Sequence, residues 1–190
     1  MLNIRLLLIP ILLISLTVAP FKGQVSSEPV IQKVEARELD NRAKILADYF
    51  ASYNSPLEYH AQDFIDASDK HGVDWKLVPA ISGVESTFGK HSYSFNGWGW
   101  GIYGDSALGF NSWKEGIYTV TEGLKQNYID KGLTNPYSMN KKYAASPTWG
   151  WKVDFFMKDL DRFAQDYKAR QIQPSSNLLA KTAGSSAQVK

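Results

Sequence analysis

One acidic residue stands in an otherwise apolar stretch that runs from Leu77 to Gly89. At about 100° per residue, Leu77, Ile81, Val84 and Phe88 share one helical face, and Glu85 projects between the directions of Ile81 and Val78, inside that arc. Burial disfavours a carboxylate, so the pKa of such an acid rises, and a carboxyl still protonated near neutral pH is what general acid catalysis requires. Directly after it, the segment Ser92 to Gly104 alternates aromatic residues with glycine. This segment is too glycine-rich for a helix and too aromatic for an idle linker. Flat rings beside a protonated acid describe a cleft for sugars, whose C–H faces stack on Trp and Tyr while Asn and backbone groups bond the substituents. The plainer alternative makes Glu85 a helix-end acid that bonds nearby backbone or pairs with Lys90.

Composition narrows the chemistry further. The 190 residues can bury a real core as one domain with tails. The chain has no cysteine, which excludes a disulfide framework and thiolate metal sites. His60, His71 and His91 show no helical i, i+4 spacing, so no metal site and no cofactor are expected. A formal net charge of +2 with no basic stripe argues against nucleic acid as a partner.

The elements that must position the acid follow from periodicity and capping. Residues 1–21 have the charged start and apolar centre of an export signal, either cleaved or kept as a signal-anchor, and 22–38 read as a tether. Leu39, Ala43, Leu46, Phe50 and Tyr53 predict an amphipathic helix. Ser55-Pro56-Leu57-Glu58 predicts a helix start with a capping box, and Gly72 its end. Asp74 is expected to cap the Glu85 helix and Gly89 to close it. Ser112 to Glu115 forms a second capping box, which makes Glu115 a structural acid, and the helix behind it is expected to end at Gly132. Asn135-Pro136 predicts a short helix to Tyr143, and Trp149 to Tyr167 a closing helix. The 169–190 tail lacks periodicity and is expected to be disordered. The domain proper is thus 39–168, mainly α, with an irregular or short-stranded aromatic-Gly segment forming the cleft.

The segment Ala80 to Gly89, with its Glu85-Ser86 pair, followed by Asn96-Gly97-Trp98-Gly99 and the later Lys142-Tyr143-Ala144, resembles the lysozyme-like superfamily. In particular it is similar to bacterial endo-β-N-acetylglucosaminidase-like domains and soluble lytic transglycosylases. The resemblance spans about Ser55 to Leu160. It implies an α+β lysozyme-like fold and a monomer that cleaves β-1,4-linked N-acetylated glycan, above all peptidoglycan, on the extracytoplasmic side, anchored to the membrane or secreted to the cell wall. It also implies that Glu85 protonates the scissile oxygen, that Asn96 and Tyr143 line the site, and that Trp98, Trp100 and Tyr103 offer sugar platforms. No second acid stands in an equally clear motif, and Asp105 is the best candidate. Carboxyl separation would separate retaining from inverting hydrolysis. A single-acid route, ending in attack by water or by the sugar's own hydroxyl as in a transglycosylase, is favoured. The contrasting class is a membrane-anchored glycan-binding module without activity, which would have no use for a partly buried acid.

Overall fold

The computed structural model describes residues 40–101 and 108–185, with the side chains of the last helix described as far as Gln171. The signal or anchor at 1–21, the tether, Tyr103 and Asp105 lie outside the described residues. Among the described residues no helix is long and apolar enough to cross a membrane.

Among the described residues there are six α-helices: α1 Asn41–Ser52, α2 Ala61–His71, α3 Leu77–Ser86, α4 Trp113–Asn127, α5 Pro136–Tyr143 and α6 Trp149–Ser185. No strand forms among the described residues, and the aromatic-Gly segment is irregular apart from one bridge between Tyr93 and Asn96. Each start has its chemical cause. Asp40 accepts from the Arg42 amide, Ser112 from the Glu115 amide, and Asn135 makes a reciprocal capping box with Ser138 ahead of Pro136. Ser55 caps by accepting from the Leu57 amide rather than through the expected box with Glu58, and Pro56–His60 is a 3₁₀ turn that precedes α2. Glu115 is structural: its carboxylate accepts from the backbone and side-chain N–H groups of Asn111, both at 2.8 Å.

Other boundaries differ from the sequence expectation. Asp74 starts a turn one step ahead of α3, accepting from the Lys76 amide through its side chain and from Leu77 through its carbonyl. After α4, the turn Ile129–Lys131 intervenes before Gly132 reverses the chain. The backbone of α6 continues to Ser185, through most of the stretch expected to be disordered, even though Pro174 within it has no amide hydrogen to donate.

The core is built around α3, nearly all of which is buried from Leu77 to Gly83. It packs on α6 and is flanked by α4, while α1 and α2 close the far side. The aromatic cluster of Tyr49, Phe50, Tyr53, Phe88 and Phe156 fills the space between α1, α3 and α6. Tyr49 and Tyr53 donate to Asp159 at 2.9 and 3.2 Å, so the rings are buried without leaving their hydroxyls unpaired.

Two glycines of α4, seven residues apart and therefore on one face, receive the aromatic segment. A Cβ on Gly116 would stand 2.7 Å from the Trp98 ring, 2.8 Å from Phe110 and 3.1 Å from the Phe95 carbonyl oxygen. A Cβ on Gly123 would stand 2.3 Å from the Trp100 ring. Gly116→Ala is therefore expected to destabilise, although alanine is the better helix former by about 1 kcal/mol. Overpacking costs about 1–3 kcal/mol and here meets two buried rings and a backbone carbonyl, so urea unfolding should show a lower midpoint with an unchanged slope.

Candidate functional site

The geometry around Glu85 begins with the way its helix ends. Thr87, Phe88 and Gly89 all take positive φ, at 53°, 56° and 82°. The helix therefore closes at Ser86, two residues earlier than a Gly89 stop would give, with the Phe88 amide bonded back to the Ser82 carbonyl at 2.9 Å. A left-handed β-branched threonine is costly, by about 1–3 kcal/mol, and must be held by its surroundings. Three contacts hold it. The Phe88 ring is buried under Gly83, Ser55 Oγ donates to the Phe88 carbonyl at 2.7 Å, and Ser86 Oγ accepts from the Gly89 amide at 2.8 Å.

Ser86 also joins this turn to the aromatic segment by donating to the Gly97 carbonyl at 2.7 Å. Within that segment Asn96 is the strut. Its Nδ2 donates to the carbonyls of Trp100 and Leu108, each at 2.8 Å, and its Oδ1 accepts from the amides of Trp98 and Trp100. Asn96 is 8% exposed, and with both amide atoms engaged it holds the loop rather than facing a ligand, a correction to its expected role. Trp98 is corrected in the same way. It is fully buried against Phe64, Phe110 and Trp113, with Nε1 donating to the Val78 carbonyl, so its ring offers no face to a sugar.

Glu85 departs from the helical-wheel expectation too, since the side chain leaves the apolar arc and reaches solvent at the end of α3. Its carboxyl head is the crowded part. Oε1 accepts from Trp149 Nε1 at 2.7 Å, and Oε2 would lie 3.1 Å from a Cβ built on Gly99. Gly99 needs to be glycine twice over, for that approach and for its φ of 60°. Burial of the head pushes the Glu85 pKa above the ordinary carboxylate value, and the Trp149 hydrogen bond and the Lys152 charge pull against it without cancelling it.

Trp149 was legible in the sequence only as a core residue of the closing helix. In the structure it lies flat on Tyr143, with centroids 4.4 Å apart and planes 17° apart, and the Tyr143 hydroxyl donates to the Trp98 carbonyl at 2.6 Å. The Tyr143 phenol is held well above its ordinary pKa, chiefly by burial and also by the charge of Glu85, so it remains a donor. A chain of contacts thus runs from the buried Trp98 through Tyr143 and Trp149 to the carboxyl.

Beside this chain is a cavity of about 290 Å³, lined by Gly99, Trp100, Gly101, Asn127, Tyr128, Lys142 and Tyr143. Gly99 joins it to Glu85. Trp100 and Tyr143 are half-buried members of the lining, with ring centroids 6.0 Å apart. Among the described residues no group of three His, Asp or Glu side chains is placed to hold a metal; His60 bonds Asp63 and His91 faces Thr87. Such an arrangement can present a proton at the edge of an aromatic cavity.

No protein-family model and no curated protein matches the chain. Solved structures do match, among them a catalytic mutant of S. aureus autolysin E in complex with the disaccharide NAG-NAM. That likeness has a TM-score of 0.57 at 16% identity and covers 69% of each chain. At this identity it bears on architecture alone, and with the helices described above it gives a mainly α, lysozyme-like fold.

Proposed function

We propose that this protein cleaves the β-1,4-linked N-acetylated glycan of peptidoglycan, with Glu85 as general acid and then general base. The observation that carries the reading is the Glu85 carboxyl, raised in pKa yet solvent-reachable, fixed by Trp149 at the edge of an aromatic-lined cavity. The lysozyme-like neighbour bound to a NAG-NAM disaccharide supports the same substrate class. In the first step the protonated carboxyl gives its proton to the glycosidic oxygen as the C1–O bond breaks. In the second, the carboxylate takes a proton from the attacking group, which is water in a hydrolase or the sugar's own hydroxyl in a transglycosylase. The single-acid route is favoured because Glu85 alone stands in a clear sequence motif. An N-terminal export signal or anchor places the activity outside the cytoplasm in this reading, and a glycan-binding module without activity is its competitor.

Glu85→Gln keeps the Trp149 hydrogen bond and removes the transferable proton. Release of muropeptides from purified sacculi, followed by mass spectrometry, should fall by about 10²–10⁴-fold, and anhydro or reducing ends among the wild-type products identify the acceptor. Parent-level release by the variant would return Glu85 to an ordinary helix-end acid. Stability supplies an independent check. A raised folded pKa means the native state binds more protons than the unfolded one, so Glu85 costs stability as pH rises from the ordinary Glu value through the folded one. Glu85→Gln should therefore be as stable as the parent in acid and more stable at neutral pH. Asp105→Asn should lower turnover only mildly on the single-acid route; a loss comparable to that of Glu85→Gln, with glycan binding kept, would establish a second carboxylate.

Trp149→Phe removes a side-chain donor that favours the carboxylate, so the alkaline limb of the pH–rate profile should move to higher pH. Turnover should also fall by about 10–100-fold from loss of positioning. An unshifted limb would show that the bond has no influence on the acid.

A further inference from the structure

We propose that Lys142 makes the cavity beside Glu85 selective for glycans that carry a carboxylate, taken either from the lactyl group of a muramic sugar or from a peptide attached to it. This rests on the glycosidase reading, since it treats the cavity as that enzyme's substrate subsite. Among the described residues Lys142 is the one charged member of the lining, and Trp100 and Tyr143 are its half-buried aromatic members. Its ammonium is held in place from two directions. Nζ donates to the Asn127 carbonyl at 2.5 Å and stands 4.6 Å from the centroid of the Tyr128 ring. Held this way, a head that would otherwise swing on a four-carbon stem becomes a fixed positive point.

The donor count is what points to a ligand. An ammonium has three N–H groups; Asn127 takes one, and a ring face attracts the charge without offering a lone pair. Among the described residues no carboxylate pairs with Lys142, whereas Lys76 pairs with Asp161, Lys114 with Asp63 and Lys158 with Asp154. A neutral sugar would gain little from such a charge. A carboxylate would gain a charge-assisted hydrogen bond at the rim of the cavity, where Lys142 is exposed. The volume is near the low end of the range for ligand pockets, about 300–1,000 Å³, which suits one substituted sugar rather than a length of chain.

A purely structural role has a different signature. Asn127 ends α4, and a cation at a helix C-terminus is favourable in itself, so a lysine that only caps α4 would affect all ligands alike when lost. The experiment titrates the full chain and its Lys142→Gln and Lys142→Arg variants with three oligosaccharides of equal length. These are a neutral chitooligosaccharide, a peptide-free alternating GlcNAc–MurNAc oligomer, and the same oligomer bearing its peptide. Lys142→Gln should lose about tenfold in affinity for carboxylated ligand and less than about twofold for the neutral one, and Lys142→Arg should keep the parent preference. Selective loss on the peptide-free oligomer assigns the lactyl carboxylate, and selective loss confined to the peptide-bearing one assigns the peptide. Equal loss on all three, or a parent protein without preference for carboxylated over neutral ligand, would overturn the inference while leaving the glycosidase reading standing. A parent that binds none of them would overturn both.

Discussion

The hydroxyl of Ser86 is the joint on which the site depends. It donates to Gly97, lies 3.1 Å from the Ser82 carbonyl, and accepts from Gly89, so one buried atom links the last turn of α3, the left-handed reversal and the aromatic segment. Without it, three consecutive positive-φ residues would have to be paid for by the Phe88 ring and Ser55 alone. The strain is placed where it is useful. A helix that ended in an ordinary relaxed way would carry the chain past Glu85, whereas this reversal brings Gly99 back to within van der Waals reach of its carboxyl.

At the carboxyl itself opposing influences meet, and their order matters more than any one of them. Burial disfavours the anion, and this outweighs the stabilisation that the indole N–H and Lys152 give it. The result is an acid that holds its proton to higher pH but can still part with it, because a donor for the anion is already in place. An indole is suited to that position. It donates one hydrogen bond and accepts none, so it orients the carboxyl without competing for the proton, and its flat face stacks on Tyr143.

Much of this was legible in the sequence, for identifiable reasons. Helix faces followed from the apolar period, and Ser55, Ser112 and Asn135 were readable as caps because side-chain oxygen before a helix has one main use. Glu85 stood out as a polar residue among apolar ones. The aromatic segment was legible as a unit but not residue by residue. Alternating Trp and Gly does not say which ring faces inward, since the answer lies in Gly116 and Gly123, far along the chain on α4. Trp149 was hidden for a related reason: an indole in an apolar stripe looks like core until its N–H finds a partner 64 residues away in sequence.

The division of labour among the aromatics explains why the segment is built with so many glycines. Trp98 must be buried to anchor the loop, Trp100 must stay half-open to form the cavity, and only one residue separates them. Ordinary strand geometry would send both rings to the same face, because residues two apart point alike. Gly99, at a φ of 60°, breaks that alternation and turns Trp100 away from the core while its own lack of a side chain admits Glu85. A single glycine thus separates scaffold from cavity and sets the distance between cavity and acid. Because Asn96 fixes the backbone on either side of it, through the amides of Trp98 and Trp100, that distance is set before any ligand arrives.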